Sequence, residues 1–279
     1  MDSSKWKYYK HSLIPTTPPH EPVLTDDIED GTIWKKYKKA GMRVLFARWT
    51  SDWDCGRETS WWYVIKDEPF DPAQLKSKRR YEINKGLRYF EVSELDCKAV
   101  KEEIFSVRVA AQRGYGRESQ TPIDKAKLFK NIDNKWDYYK AYGARFKENG
   151  RLCGYSLLRR DGRYINFALQ YADPDYEKYG LNAALVNFML EDHREFLSSG
   201  GYICDGSRSV VHETAFQDYL QKYFGFRKAY CRLHISYSPA AGAAVKLLYP
   251  FRKLICKSSL PKLKQVKAVL MMEEAARNG

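Results

Sequence analysis

Residues 139–237 leave this chain few folds to choose from. Tyr139–Lys147 and Leu152–Arg160 each alternate polar and apolar residues around Glu148-Asn149-Gly150-Arg151. Asn-Gly between two such runs is a strong hairpin signal, because the tight turn needs residues that accept positive φ. Asp161-Gly162 makes the next turn, and Tyr164–Tyr171 reads as a third antiparallel strand. A polar turn, Ala172 to Gly180, leads into a helical pattern over 182–196, with Leu181, Leu185, Phe188, Met189 and Phe196 toward a core. Ser198-Ser199-Gly200-Gly201 ends that helix, and Tyr202–Gly206 reads as a short strand. A second helical pattern stops at Phe224-Gly225-Phe226, before a strand over Ala229–Tyr237. Gly180, at a strand-to-helix turn, makes a cradle for a phosphate, since a helix start leaves backbone N–H groups unbonded.

The first half is less regular. Residues 1–31 form an arm: Pro15, Pro18, Pro19 and Pro22 forbid a helix, and Trp6, Tyr8 and Tyr9 suggest that it docks. Thr32–Lys39 suits a short helix. Met42–Trp49 and Thr59–Lys66 read as strands of one long antiparallel hairpin. Residues 73–87 read as a basic helix with Leu75, Ile83 and Leu87 on one face, and Tyr89–Val92 as a strand. Leu95–Arg113 reads as a helix ended by Gly114-Tyr115-Gly116, and Asp124–Trp136 as another. The expected division is an arm (1–31), a first half (32–136), a second half (137–238) and a basic tail (239–279).

Charge narrows the partners. The formal net charge is +13, and no Asp or Glu occurs from Tyr219 to Met272, while Lys and Arg recur there. A field of one sign favours phosphates, nucleic acid or an acidic membrane face. Leu247–Ile255 mixes apolar and basic residues, and suits either a membrane surface or an amphipathic helix packed on its own domain. Six cysteines include no C-x-x-C pair and no neighbouring His cluster, so no metal is expected. Cys153, Cys204 and Cys231 fall in apolar runs, as buried free thiols do, and a reducing cytosol is the expected setting. No run of apolar residues reaches the ~20 needed to span a bilayer, and no secretory signal is visible. The expected location is cytoplasmic, with the inner face of the membrane as a variant.

Three passages of the second half resemble the GNAT acyltransferases, and more narrowly the branch related to Fem-type peptidoglycan aminoacyltransferases. The first is the hairpin Glu148-Asn149-Gly150-Arg151-Leu152-Cys153-Gly154-Tyr155. The second is the strand-turn-helix from Leu169 through Leu185. The third is Cys204-Asp205-Gly206 followed by Tyr223-Phe224-Gly225-Phe226, similar to the "D-x-G … F-K-x-x-F-G" ending of the Fem-like branch. The basic stretch Leu75–Arg88 resembles that branch's "S-K-x-R-x-x-I-x-K-G/A" helix. The resemblance covers roughly residues 60–237, and the order of its short motifs carries it.

The resemblance implies an α+β fold, a mixed and mainly antiparallel sheet flanked by helices, in two GNAT-like halves of which the first is degenerate. It implies transfer of an acetyl or aminoacyl group to an amine or hydroxyl of a cell-envelope, saccharide or lipid-linked acceptor. The donor is acyl-CoA, acetyl-CoA in particular, or an aminoacyl-tRNA. The donor site it implies is Gln170, Tyr171, Ala172, Lys178, Tyr179, Gly180, Leu181 and Asn182. Strand amides around Gln170-Tyr171 are the implied oxyanion donors. Asp205 is the first choice for base or acceptor binding, and Tyr171 and Tyr223 are the candidate acids. The family's donor loop reads Q/R-x-x-G-x-G/A, whereas this chain places Glu177, Gly180 and Asn182 there. Gln221 stands where many GNAT enzymes carry an acid Tyr. His193, read as a solvent-facing helix residue, and His212, in a loop, are the remaining base candidates. The implied partners are the acceptor, tRNA, and an anionic membrane touched through the basic tail. The alternative class is a noncatalytic basic protein that binds RNA or anionic membrane on a degenerate GNAT fold.

Overall fold

The Asn149-Gly150 turn forms as its residues demand. Gly150 takes φ 69°, and its N–H bonds the Phe146 carbonyl across 2.8 Å. It joins two of ten strands in a computed structural model that describes residues 5–114, 121–210, 215–258, 260 and 263–279. The strands are β1 (Trp6–Tyr9), β2 (Ser12–Pro15), β3 (Phe46–Ser51), β4 (Trp61–Lys66), β5 (Phe90–Glu94), β6 (Lys140–Phe146), β7 (Leu152–Asp161), β8 (Tyr164–Ala172), β9 (Tyr202–Ser207) and β10 (Arg227–Tyr237). The early helices are α1 (Asp26–Glu29), α2 (Thr32–Lys39), α3 (Ser77–Tyr89), α4 (Lys101–Gln112), α5 (Lys125–Lys135) and α6 (Pro174–Glu177). The later ones are α7 (Leu181–Asp192), α8 (Arg194–Ser198), α9 (Ala215–Phe224), α10 (Pro239–Leu248), α11 (Arg252–Lys257) and α12 (Lys264–Arg277). The architecture is α+β, with mixed, mostly antiparallel strands flanked by helices.

The chain divides into two compact units: one of residues 1–64, 207–215 and 228–279, the other of residues 65–206 and 216–227. In the first unit the strand order is β1-β2-β3-β10, then β4. Side chains alternate across a strand, so neighbours in β3 serve opposite faces. Ala47 packs with Trp6, Leu13, Ile28 and Ile33, beside α1 and α2. Phe46 packs with Trp61, Cys231, Leu233, Met272 and Ala275, beneath α12. The C-terminal helix thus supplies core residues.

In the second unit the order is β9-β8-β7-β6-β5, antiparallel except for β8 with β9. Tyr155 and Leu157 of β7 meet Ile104 and Val107 of α4 and Leu128 and Ile132 of α5. Gly154, on the opposite face, lies against Leu181 and Leu185 of α7. Both faces of β7 are covered, which is why residues 152–158 are all buried.

Several local expectations change. The hairpin of β3 with β4 does not form, because β10 lies between them. Their connection, residues 52–60, is longer than a hairpin loop and leaves room for a strand from far along the chain. The arm contributes β1 and β2, and it does hold one helical turn, α1, beyond its last proline, Pro22. Trp6 is buried there, its Nε1 donating to Asp27 Oδ1 across 3.2 Å. The helix expected from Leu95 begins at Lys101, since the Leu95 N–H bonds the Ala141 carbonyl of β6. Of the Gly114-Tyr115-Gly116 stop, Tyr115 and Gly116 lie outside the described residues. The helix expected over 182–196 breaks at His193 into α7 and α8.

The basic helix α3 buries only Ile83 of the three residues expected on its inner face, and adds a glycine. Leu75 precedes it and Leu87 is exposed, whereas Ile83 and Gly86 are buried. Gly86 rests on the turn before α7: a Cβ there would stand 2.5 Å from the Gly180 carbonyl oxygen. Gly180 itself, at φ 84°, has room for no side chain, since its Cβ would lie 2.8 Å from the Glu82 carbonyl. Two backbones meet here because neither residue has a side chain.

Gly86→Ala is expected to lower stability by about 1–3 kcal/mol, the usual range for overpacking. Gly150→Asn, in open space at a turn that Asn tolerates, is expected to cost less than about 1 kcal/mol. Urea unfolding of both variants checks this; equal losses would remove the backbone contact as the cause.

Candidate functional site

Strands β8 and β9 pair in parallel only at Tyr164↔Tyr202, Ile165↔Ile203 and Asn166↔Cys204. Beyond that point β8 continues to Ala172 and β9 to Ser207. On its other edge β8 stays paired with β7 as far as Gly154↔Ala172. The register there slips: Leu157 faces Leu169 while Leu158 faces Phe167, so Ala168 is an extra residue. A bulge of this kind bends its strand and re-aims the residues beyond it. The opening between β8 and β9 is the candidate site. Alternate strand amides between Ala168 and Ala172, those not directed to β7, stand on one side and Asp205 on the other.

Asp205 directly follows the last residue of β9 that pairs with β8. It is half-buried, and burial pushes its carboxyl up to about 7, although Gln217 of α9 opposes the shift by hydrogen bonding. The same Gln217 amide donates to the Asp205 carbonyl across 3.5 Å. Gly206, at φ 104°, then turns the chain away. A carboxyl that titrates near neutrality, at the mouth of an opening, suits proton transfer.

The turn between β8 and α7 is held by Asp173, the N-cap of α6. It is 1% exposed and accepts from Arg113 and Arg151, each across 3.0 Å. A polar chain then crosses the start of α7. Ser156 Oγ donates to Gln170 Oε1 (2.8 Å), Gln170 Nε2 to Asn182 Oδ1 (2.8 Å), and Asn182 Nδ2 to Glu177 Oε1 (3.3 Å). Glu177 and Asn182, the two departures from the family loop, are therefore partners of each other. Leu181 is fully buried against Gly154, a packing position. Tyr179 packs against Tyr89, Phe146 and Tyr176, with the Lys178 ammonium 5.1 Å from its ring. Ala172 closes the ladder with β7.

The two tyrosines sit apart. The Tyr171 hydroxyl accepts from Arg108 Nη2 of α4 across 3.2 Å. From the level of Asp205, Tyr171 is about 13 Å further along β8, four residues at ~3.3 Å each. Tyr223 belongs to α9, with the Arg79 guanidinium of α3 3.3 Å above its ring and Tyr219 at 5.2 Å. Arg79 in turn pairs with Glu82 across 2.7 Å. His193 is not a solvent-facing residue. It is half-buried, 3.1 Å from the Tyr142 hydroxyl, and burial lowers its pKa. Tyr142 also donates to Asp192, which Lys140 meets at 2.6 Å, so this cluster ties β6 to the end of α7. His212 lies outside the described residues.

Sequence reasoning missed Gln217, Arg108, and the pair Arg113 and Arg151, since nothing in their local pattern marks a partner about 10–60 residues away. It also missed Lys66, which is 5% exposed and whose pKa burial lowers. Its position at the end of the apolar strand run Trp61–Ile65 was the available signal. Among the described residues no group of three or more His, Cys, Asp or Glu is placed to hold a metal ion. Nor is any helix among them long and apolar enough to cross a membrane.

No protein-family model matches the sequence, and no curated protein matches it. Solved structures do match in fold. FemX is 9% identical, covering 87% of this chain and 85% of its own, with a TM-score of 0.51. The C-terminal domain of a protein described as a lysylphosphatidylglycerol synthetase from Agrobacterium fabrum is 12% identical, covering 86% and 82%, with a TM-score of 0.50. At these identities the likeness shows the fold, and that fold is the GNAT-like, Fem-like one.

The Asp205 carboxyl also predicts how stability varies with pH. Its pKa is raised on folding, from 3.8 to about 7, so the folded state holds its proton more tightly than the unfolded chain. The stability it contributes is complete below about pH 4 and is lost as pH rises through about 7. Relative to Asp205→Asn, the parent chain is therefore expected to lose stability over that interval. Parallel pH curves from denaturant melts would remove the raised pKa.

Proposed function

We propose that this chain transfers an aminoacyl group from an aminoacyl-tRNA to an amine or hydroxyl of a cell-envelope, saccharide or lipid-linked acceptor. The observation that carries this reading is Asp205, buried enough to titrate near neutrality where β8 and β9 part, on a fold shared with FemX. The acceptor gives its proton to Asp205 as its nitrogen or oxygen bonds the acyl carbon. The developing oxyanion is met by β8 amides between Ala168 and Ala172. The ester bond to the ribose oxygen then breaks, and that oxygen takes up the proton that Asp205 holds.

The choice of tRNA over coenzyme A rests on the start of α7. A pyrophosphate there would meet the Glu177 carboxylate, which Asn182 fixes, and the α3 backbone that covers Gly180. Helix α3 meanwhile exposes Lys78, Arg80 and Arg88 on its outer side, suited to a nucleic-acid backbone. One of the two fold relatives is described as a lysylphosphatidylglycerol synthetase, a name that joins an aminoacyl group to a lipid.

The test uses tRNA charged with radiolabelled amino acids and a crude fraction of cell-envelope precursors. Label is expected to move to that fraction, at least about 100-fold more slowly with Asp205→Asn. The rate should rise with pH through about 7 in the parent chain. Transfer indifferent to Asp205→Asn, or transfer from acetyl-CoA and not from tRNA, would contradict the reading.

A further inference from the structure

Arg48 stands on β3 two residues after Phe46, on the face where Phe46, Trp61 and Met272 make a core. A guanidinium in such a place is costly unless an anion meets it. Its centre lies 5.6 Å from the Trp61 ring. Tyr63 and Tyr9 are the groups that favour its charge, and no carboxylate among the described residues pairs with it. Burial holds its pKa below the ordinary arginine value.

Arg48 opens on a cavity of about 500 Å³ that also takes Lys10, His11, Arg208 and Lys264, and no Asp or Glu among the described residues lines it. That volume is in the usual range of small-molecule sites. Two parts of its cationic wall are fixed in place. Lys10 and His11 form the two-residue turn of the β1–β2 hairpin at φ 46° and 65°, a left-handed conformation that side chains avoid. Such strain gathers at functional sites. The Leu45 N–H pins this turn through the His11 carbonyl at 2.8 Å. Arg208 is fixed by donating to the Ser60 carbonyl across 2.6 Å, with its guanidinium 4.7 Å from the Trp62 ring. Guanidinium groups held in this way recognise phosphate or carboxylate.

The opposite wall is apolar. Leu45, Phe46 and Val269 line this cavity and also a second, open one of about 510 Å³, which Ala241, Ala244 and Leu248 of α10 line as well. The two open cavities adjoin at Leu45, Phe46, Gln265 and Val269, one cationic and one apolar, which fits one molecule with an anionic head and a hydrocarbon chain lying across them. Just beyond, Leu247, Phe251 and Leu254 are 72%, 58% and 74% exposed, and Lys253 lies among them. Such a rim suits delivery of an amphiphile from a lipid surface.

We propose that the unit built on β1–β3 and β10 binds an anionic amphiphile, its phosphate or carboxylate between Arg48 and Arg208 and its chain against α10. None of these residues belongs to the Asp205 opening, so the proposal does not rest on acyl transfer.

Calorimetric titration of the full chain with dodecyl phosphate, below its micelle concentration, tests it. Inorganic phosphate and neutral dodecyl maltoside serve as the two comparison probes. Dodecyl phosphate is expected to bind at least about tenfold more tightly than either. Arg48→Gln should weaken it at least about tenfold. Ala244→Phe, at an exposed helix position that tolerates a larger residue, should weaken dodecyl phosphate by a similar factor and leave inorganic phosphate unchanged. Dodecyl phosphate bound no more tightly than inorganic phosphate, or bound equally by the parent and Ala244→Phe, would overturn the proposal. So would equal binding by a folded Arg48→Gln variant.

Discussion

The contact on which the second unit depends is the one between two glycine backbones. Gly86 on α3 and Gly180 before α7 approach so closely that a Cβ on either would strike main-chain atoms of the other element. This approach seats a basic helix across the start of α7. Asp173, held by Arg113 and Arg151, fixes the turn that presents Gly180. Leu181 and Leu185 then press α7 onto Gly154 of β7. Small residues at Gly86, Gly154 and Gly180 thus set how near two helices and a sheet can come.

The same contact changes the chemistry open to the site. A bare helix start attracts anions through its dipole and its unbonded amides. Here the nearest side chains are Glu177 and Asn182, hydrogen-bonded to each other and onward to Gln170 and Ser156. A carboxylate fixed in that place repels phosphate, while the exposed cations of α3 attract it from the outer side. The proton chemistry we propose is separate, at Asp205, where burial rather than a neighbouring charge raises the pKa. In the proposed reading, the groups that meet the donor are therefore distinct from the group that moves the proton.

Local rules made the second unit readable. The Asn149-Gly150 turn, the strands on either side, the Gly180 turn and the buried Cys153 and Cys204 all follow from residues close in sequence. The GNAT-like and Fem-like resemblance carried the fold. What escaped was set by distance. The β3–β4 hairpin was the natural reading of two adjacent strands, and only β10, far along the chain, displaces it. The buried face of α3 was legible at Ile83 but not at Gly86, because a glycine carries no hydrophobic signal. His193 looked exposed because its partner, Tyr142, is on another element. At the candidate site, Asp205 was legible as a polar residue at a strand end, whereas its raised pKa and its contact with Gln217 needed the fold.

The central claim is that the Gly180 turn serves packing and excludes a coenzyme A pyrophosphate. Calorimetric titration of the full chain with acetyl-CoA tests this most directly. No saturable binding is expected below about 1 mM. Saturable binding near about 10 μM that is lost on charge reversal at Lys178, beside the turn, would contradict the claim.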